Sequence, residues 1–335
     1  MFREAAQAPQ VVRAQLTANT ARVAQLAARL RQAPPRAVVT CARGSSDHAA
    51  TFARYLIETR LGLLTSSAAP SVSSVYEAAP DLAGTLMLAI SQSGASPDIL
   101  AVVSRARAAG AYIVALVNAE ASPLAQLADV LLPLHAGPER SVAATKSYIA
   151  SLAAIVQLVA EWAGDAPLGA ALQQAPEELE RAWQLDWSAA VPRLAPTSSL
   201  YVIGRGLGLA IAQEAALKFK ETCGLHAEAV SAAELRHGPM ALVRTGFPLL
   251  VFTQNDESRA GVVQLAGELA AQGADVLLAG ARLARTTELA TEAAHPVIEP
   301  LLFAQSFYRM ANALALARGH NPDAPPHLRK VTETL

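Results

Sequence analysis

Two stretches of this chain have the same order of structural patterns: residues 37–46, AVVTCARGSS, and residues 200–208, LYVIGRGLG. Each begins with an apolar run, turns at a glycine and continues into an amphipathic helical pattern, which ends near Gly62 in one copy and near Gly224 in the other. An apolar strand, a glycine turn and a helix form the opening unit of a parallel α/β sheet. The sequence therefore predicts two such sheets, one for each copy.

The similarity between the copies continues downstream. In each copy a second apolar strand leads into a polar turn, a helix, a Gly-Ala step and a further strand. The later predicted elements are a short strand and a closing helix in each half, at 130–134 and 145–164, and at 297–301 and 303–319. Strands alternating with helices indicate parallel sheets that are covered on both faces. We predict an α/β fold with two tandem, doubly wound parallel-sheet domains, each a flavodoxin-like three-layer αβα unit.

Proline-rich breaks and helical spacing predict the domain boundaries. Apolar residues at helical spacing precede Pro34 and Pro35, which end a lead-in helix, and a second helical stretch punctuated by prolines separates the two copies. The predicted organisation is a lead-in helix at 1–35, a first α/β domain at 36–165, a helical bridge at 166–198, a second α/β domain at 199–320 and a C-terminal tail at 321–335.

Composition excludes several classes of protein. The 335 residues are enough for about two domains of roughly 150 residues. The 27 basic and 28 acidic residues give a net charge of −1, so the chain lacks the basic surface that nucleic-acid binding needs. The apolar stretches are too short and too often interrupted to span a membrane, and no signal peptide is visible, so we expect a cytoplasmic protein. Two cysteines, Cys41 and Cys223, are too few for a disulfide framework.

Serines cluster after two strands of the first copy. Five hydroxyls lie in these turns, on Ser45, Ser46, Ser91, Ser93 and Ser96. Ligands of open parallel sheets bind at the carboxyl ends of the strands, and the N–H groups of a helix N-terminus favour an anion. The serines therefore predict a sugar-phosphate site, and the alternative is that they only cap the helices that follow. The second copy has an acid, Asp256, in the matching turn, so we expect one phosphate site per chain.

Other polar motifs have weaker interpretations from spacing alone. The turn 204–208 lacks the complete glycine pattern and the later acid of a dinucleotide site, so no cofactor is expected. Lys218 and Glu221 have the spacing of a surface ion pair on a helix, and His237 lies in a turn where it is free to transfer protons. The spacing of His226, Glu228 and His237 fits no zinc template, so no metal is expected.

Several motifs in order resemble the double sugar isomerase (SIS) domains of glucosamine-6-phosphate synthase, from about residue 36 to the end of the chain. The resemblance rests on the motifs SQSG at 91–94, ERSVAATK at 139–146, ALKFKE at 216–221, HAE at 226–228, ELRHGP at 234–239 and LRK at 328–330. It implies that Glu221 is the base that moves a proton between C1 and C2 of the sugar. It further implies that His237, donated by the neighbouring subunit of a homodimer, opens the ring, and that Lys330 engages the sugar carbonyl.

The same resemblance implies the substrate-binding residues. They are Ser45, Ser46, Ser91, Gln92, Ser93, Ser96, Val142, Ala144 and Lys218. Ala144 stands where the synthase has a serine, which departs from the pattern at one sugar contact. An aldose–ketose conversion needs a ring opener, a carboxylate that reaches two adjacent carbons and electrostatic support for the enediol or enolamine, which these roles supply.

Three departures from the synthase suggest a particular activity. No glutaminase domain precedes the first copy in this sequence, Ala144 replaces a serine, and the tail at 331–335 reads VTETL instead of the synthase ending. In these respects the chain is more similar to stand-alone SIS-type glucosamine-6-phosphate deaminases, which implies conversion of glucosamine 6-phosphate to fructose 6-phosphate and ammonia. Alternatives are a synthase-type isomerase or transaminase, another aldose–ketose isomerase, a deglycase, and a non-catalytic sugar-phosphate sensor.

Overall fold

The first sheet contains five parallel strands in the computed structural model, which describes residues 1–78 and 80–330. Two helices, α1 (Phe2–Ala5) and α2 (Ala8–Gln32), precede it. The elements that follow are β1 (Val38–Cys41), α3 (Ser45–Leu61), β2 (Thr65–Ser67), α4 (Pro70–Ser74), β3 (Leu86–Ser91), α5 (Pro97–Ala108), β4 (Tyr112–Val117), α6 (Pro123–Leu127), β5 (Val130–Pro133) and α7 (Lys146–Ala163). The strand order is β2-β1-β3-β4-β5, which is the flavodoxin-like order.

The second sheet repeats this topology. Its elements are α8 (Ala166–Gln184), α9 (Val191–Leu194), β6 (Ser199–Gly204), α10 (Leu207–Cys223), β7 (His226–Ser231), β8 (Pro248–Phe252), α11 (Arg259–Ala271), β9 (Asp275–Ala279), β10 (Thr286–Leu289) and α12 (Glu299–Ala317). Three short 3₁₀ helices lie at Ser188–Ala190, Glu234–His237 and Pro239–Leu242. The strand order β7-β6-β8-β9-β10 is again parallel throughout. The predicted fold of two doubly wound parallel-sheet domains is confirmed.

The glycine turns that opened the two copies have matching geometry. Gly44 precedes α3 with a φ of 56° and Gly206 precedes α10 with a φ of 58°. This left-handed backbone is readily adopted by glycine and rarely by other residues. Both helices also end on a left-handed glycine, Gly62 and Gly224, at the positions that the sequence predicts.

One predicted strand is wrong. Residues 297–301 do not form a strand; the fifth strand of the second sheet is β10, and residue 299 begins α12. Glu299 and Pro300 occupy the first turn of that helix. An acid and a proline are both more favourable in the first turn of a helix than within a strand. The edge strands β2 and β7 are additional elements that the apolar pattern did not indicate.

The chain divides into two compact units that are not continuous in sequence. One unit contains residues 10–139, 146–173 and 328–330 of the described chain, with the first sheet; the other contains residues 1–9, 140–145 and 174–327, with the second sheet. The domain boundaries drawn from the sequence remain predictions, and residues 331–335 of the predicted tail lie outside the described residues. No helix in the described part of the chain is long and apolar enough to cross a membrane.

The interior of each unit is built from strands covered on both faces. All six residues of β3 are buried, as are five of the six in β4. On one face of the first sheet, Met87, Ala89, Ile113 and Ala115 pack with side chains of α5. A sheet that is covered on both faces leaves its strand ends as the place where polar groups can meet a ligand.

Candidate functional site

The serine cluster lies at the carboxyl ends of two neighbouring strands. Strand β1 pairs directly with β3, with Cys41 opposite Ala89, so the turns that follow these strands are adjacent. Ser45 and Ser46 form the first turn of α3, and Ser91 is the last residue of β3. The predicted phosphate-site serines of the first unit therefore meet at one edge of one sheet.

Hydrogen bonds within the second turn fix its shape. The N–H of Gly94 donates to Ser91 Oγ at 3.0 Å, and the N–H of Ala95 donates to Ser93 Oγ at 3.3 Å. Gly94 has a φ of 62°, and a Cβ at this position would lie 2.2 Å from Ser122 Oγ. The turn is therefore compact and needs glycine at residue 94.

The alternative that these serines only cap helices is not supported at Ser96. Ser96 is the N-cap of α5, yet its side chain makes no capping hydrogen bond. By contrast, Ser122 caps the short helix α6 by accepting the N–H of Ala125 at 3.4 Å. At α3 the N-cap is Gly44, which has no side chain to cap with. Capping thus does not account for the hydroxyl of Ser96.

Lys330 lies in the same unit and pairs with a carboxylate that sequence reasoning did not select. Its Nζ lies 3.3 Å from Oε2 of Glu139, whose side chain is fully buried. Glu139 also accepts the Ser147 hydroxyl at 2.6 Å and the Ser147 N–H at 3.2 Å. The sequence did mark this segment, because Glu139 opens the motif at 139–146 that supported the family resemblance. It did not indicate the pairing, because Lys330 is distant from Glu139 in sequence.

Lys218 and Glu221 lie in the other unit, and the surface ion pair suggested by their spacing is wrong. The side chain of Lys218 is 0% exposed and that of Glu221 is 20% exposed, with Lys218 Nζ 2.7 Å from Glu221 Oε2. Lys218 Nζ also lies 3.4 Å from Oε1 of Glu214, which accepts the Tyr308 hydroxyl at 2.9 Å. This face of α10 is covered, so the i,i+3 pair is part of a buried network with Glu214 and Tyr308.

The two carboxylates keep the buried ammonium charged. Burial lowers the pKa of Lys218, but Glu214 and Glu221 outweigh it, and the net pKa lies above its ordinary value. Lys218 therefore remains protonated at neutral pH. A charged ammonium fixes the orientation of Glu221, whose side chain is partly exposed.

Val142 and Ala144 lie in the segment 140–145, which belongs to the second sheet's unit. The Glu4 carboxylate accepts the N–H groups of Arg140 and Ser141, the latter at 3.2 Å. The N–H of Val142 donates to the Asp323 carbonyl at 3.3 Å. Residues distant in sequence thus hold the backbone of this segment, and Ala144 is half-buried within it.

His237 ends the 3₁₀ helix Glu234–His237 and is exposed. Within the described part of the chain its side chain makes no hydrogen bond or ion pair. His226 and Glu228 are both exposed on β7, and no group of three acidic, histidine or cysteine side chains among the described residues is placed to hold a metal ion. The site residues therefore fall into two sets: the serines, Gln92 and Lys330 in one unit, and Val142, Ala144, Lys218, Glu221 and His237 in the other.

Comparison with known proteins agrees with this arrangement of sheets and motifs. The sequence profile of the SIS domain family matches residues 30–161 and 193–292. The chain belongs to the SIS domain family. This SIS protein is 36% identical over 307 residues to glutamine–fructose-6-phosphate aminotransferase (isomerizing) of Aeropyrum pernix, a match that covers 86% of this chain and 49% of that relative. The chain thus spans about half the length of the curated relatives that it matches.

Solved structures share the fold over nearly the whole chain. A candidate phosphosugar isomerase from Silicibacter pomeroyi DSS-3 is 45% identical with a TM-score of 0.92, and the match covers 96% of this chain and 99% of that chain. A glucosamine-6-phosphate deaminase from Thermotoga maritima, 21% identical with a TM-score of 0.78, covers 99% of both chains and shares the fold alone. These matches show that the SIS fold extends over nearly the whole chain.

Proposed function

We propose that this SIS protein converts glucosamine 6-phosphate to fructose 6-phosphate and ammonia. The observation that carries the proposal is the pair formed by Lys218 and Glu221, in which a fully buried ammonium holds a partly exposed carboxylate at 2.7 Å. A carboxylate fixed in this way can take a proton from one carbon and return it to the next. The names of the relatives, which specify fructose 6-phosphate, support the class of substrate.

The serine cluster binds the phosphate in this proposal. Phosphate oxygens accept hydrogen bonds from N–H groups in the first turns of α3 and α5, from the Gln92 amide, and from the hydroxyls of Ser45, Ser46, Ser91, Ser93 and Ser96. Helix N-termini and their macrodipoles favour negative charge at this position. Phosphate binding at the strand ends would anchor one end of the sugar.

Ring opening is the first chemical step. His237 of a neighbouring subunit removes the proton of the C1 hydroxyl and returns a proton to the ring oxygen as the C1–O bond to that oxygen breaks. The exposure of His237 and its lack of partners within the described part of its own subunit support a role toward another molecule. The active unit is then at least a homodimer. Lys330, held by Glu139, engages the aldehyde oxygen that forms.

Proton transfer and hydrolysis complete the reaction. Glu221 removes the C2 proton to form an enolamine and then delivers that proton to C1. O1 gains one proton as the enolamine forms, and the amine nitrogen loses one as C1 is protonated, so the number of protons on the sugar does not change. The product is an imine at C2, and the addition of one water gives the ketone and releases ammonia. Lys218 and Lys330 supply positive charge where negative charge develops on the sugar oxygens and on Glu221.

The direct test is product release from glucosamine 6-phosphate by the purified protein. Equal amounts of ammonia and fructose 6-phosphate are expected, and Glu221→Gln should reduce their formation at least about 100-fold, the usual range for a general base. Glu257→Gln, which changes an exposed acid of the same unit, is the matched control and should behave as wild type. Activity of Glu221→Gln within a few-fold of wild type would show that the assigned base is wrong.

A synthase-type isomerase is the second candidate, because the relatives are named for an aminotransferase. Interconversion of glucose 6-phosphate and fructose 6-phosphate without ammonia release would favour this candidate, or another aldose–ketose isomerase, over the deaminase. A phosphorylated sugar that raises the melting temperature but undergoes no reaction would instead favour a sugar-phosphate sensor.

A further inference from the structure

The predicted phosphate site contains hydroxyls and backbone N–H groups, and its assigned residues in the first sheet's turns carry no positive charge. One cation lies in the same turn. Arg43 precedes Gly44, directly before Ser45 and Ser46, at the carboxyl end of β1. Its position in the chain places it at the edge of the sheet where the serines meet.

A buried carboxylate holds the side chain of Arg43. Nε of Arg43 lies 2.7 Å from Oδ2 of Asp98, whose side chain is 0% exposed. Asp98 is the second residue of α5 and follows Ser96 by two positions, so this ion pair joins the turn after β1 to the turn after β3. The two halves of the serine cluster are therefore connected by one arginine.

The remaining nitrogens of Arg43 are available to a ligand. Its side chain is 55% exposed, and Nη1 and Nη2 have no hydrogen-bond partner within residues 1–78 and 80–330. A guanidinium whose Nε is fixed presents the two terminal nitrogens in a defined plane, a geometry that suits two oxygens of a phosphate.

The local balance of charge also requires this cation. Asp98 lies in the first turn of α5, and Asp47 lies in the first turn of α3. Without Arg43, two carboxylates would lie near a ligand that carries about −1.5 to −2 charges at pH 7. Like charges oppose binding, so the serines alone would give a weaker phosphate site.

We propose that Arg43 is a phosphate-binding residue of this site, with Asp98 as its positioning residue. Nη1 and Nη2 donate to the sugar phosphate while Nε stays bound to Asp98. Arg43 then makes the site select phosphorylated over unphosphorylated sugars. The inference rests on the proposed function for the identity of the sugar, but the contact itself requires only an anion with phosphate geometry.

The test is calorimetric titration of wild type, Arg43→Met and Arg54→Met with glucosamine 6-phosphate, glucosamine and inorganic phosphate. Arg43→Met should lower the affinity for glucosamine 6-phosphate and for inorganic phosphate at least about 10-fold, since hydrogen bonds to charged groups contribute binding energy of this order. The affinity for glucosamine should not change. Arg54, exposed on α3 and paired with Glu58, is the matched control and should bind as wild type. Wild-type affinity in Arg43→Met would overturn the proposal.

The double variant Arg43→Met/Asp98→Asn separates direct contact from simple charge compensation. Asparagine retains an oxygen that can accept the N–H of Ile99, as Asp98 does at 2.8 Å. If Arg43 contacts phosphate, the double variant binds as weakly as Arg43→Met; restored affinity would show that Arg43 only neutralises Asp98. If wild type binds inorganic phosphate but not glucosamine 6-phosphate, the proposed substrate is wrong. The affinities of wild type and Arg43→Met for inorganic phosphate can then still be compared. No phosphate binding at all would overturn both.

Discussion

Nζ of Lys218 and Oε2 of Glu221 are 2.7 Å apart, and Lys218 is completely enclosed between Glu221 and Glu214 on helix α10. Replacing Lys218 by methionine would leave Glu214 buried without its counter-ion. We expect the free energy of unfolding to fall by about 3–5 kcal/mol, the usual cost of removing one partner of a buried pair, and amino-sugar turnover to fall with it. Denaturant unfolding measures the first effect. Lys220→Met, at an exposed position of the same helix, should change stability by less than about 0.5 kcal/mol.

The same pair gives stability a particular dependence on alkaline pH. The pKa of Lys218 is raised in the folded protein above its ordinary value, so its contribution is complete below pH ~10.4 and is lost as the pH rises through the higher folded value. Wild type should therefore lose stability more steeply than Lys218→Met above pH ~10.4. Parallel stability curves for the two proteins from pH 9 upward would contradict a charged Lys218.

Glu139→Gln tests the carboxylate beside Lys330. Glutamine retains acceptor capacity for Ser147 but removes the charge that lies 3.3 Å from Lys330 Nζ. We expect kcat to drop roughly 10-fold or more, because the ammonium loses the group that orients it, with a stability change of about 1 kcal/mol since Lys330 is partly exposed. Glu120→Gln, at an exposed side chain in the same unit, is the comparison. Equal kcat values for the two variants would show that Glu139 has no role in catalysis.

Glu4 provides an acid-side prediction. Burial raises the pKa of Glu4, but hydrogen bonds from Ser141 and Arg140 outweigh burial, and the net pKa is lowered. A lowered folded pKa gives stability that is present above pH ~4.3 and is lost as pH falls through the folded value. Wild type should lose this contribution as the pH falls below Glu4's ordinary pKa and through its lowered folded pKa, whereas Glu4→Gln should lack it at every pH. Acid unfolding followed by circular dichroism provides the measurement.

Mixing two inactive variants tests whether His237 acts across subunits. In a homodimer, one chain with Glu221→Gln and one with His237→Ala would together contain one site with both groups intact. After exchange of subunits, about a quarter of wild-type activity should return, because half of the dimers are mixed and half of their sites are complete. If the mixture stays inactive although mixed dimers form, His237 acts within its own chain or not at all.

The fold could be predicted from the sequence because the chain contains two copies of one pattern. Buried parallel strands appear as continuous apolar runs, and the glycine turns before α3 and α10 mark the same point in each copy. The edge strands escaped the pattern because Thr65–Ser67 is short and polar, and His226–Ser231 alternates exposed and buried residues within a charged stretch. Residues 297–301 contain strand-forming side chains, but Pro300 and Glu299 favour a helix start.

The candidate site could be predicted only in part. The serines follow β1 and β3, which pair directly, and the predicted parallel fold already placed the turns after these strands at the same end of the sheet. The spacing of Lys218 and Glu221 is the same on a buried and an exposed helix face, and only packing distinguishes the two. Glu139 and Lys330, and likewise Arg43 and Asp98, are brought together by long-range folding, which local patterns do not encode.

The interleaved assignment of the chain to its two units limits how it can be divided into fragments. Residues 140–145 lie between segments of the unit with the first sheet but belong to the unit with the second, and residues 328–330 follow the second sheet but belong to the unit with the first. Any fragment that isolates one sheet by a single cut therefore lacks part of its own unit and carries part of the other.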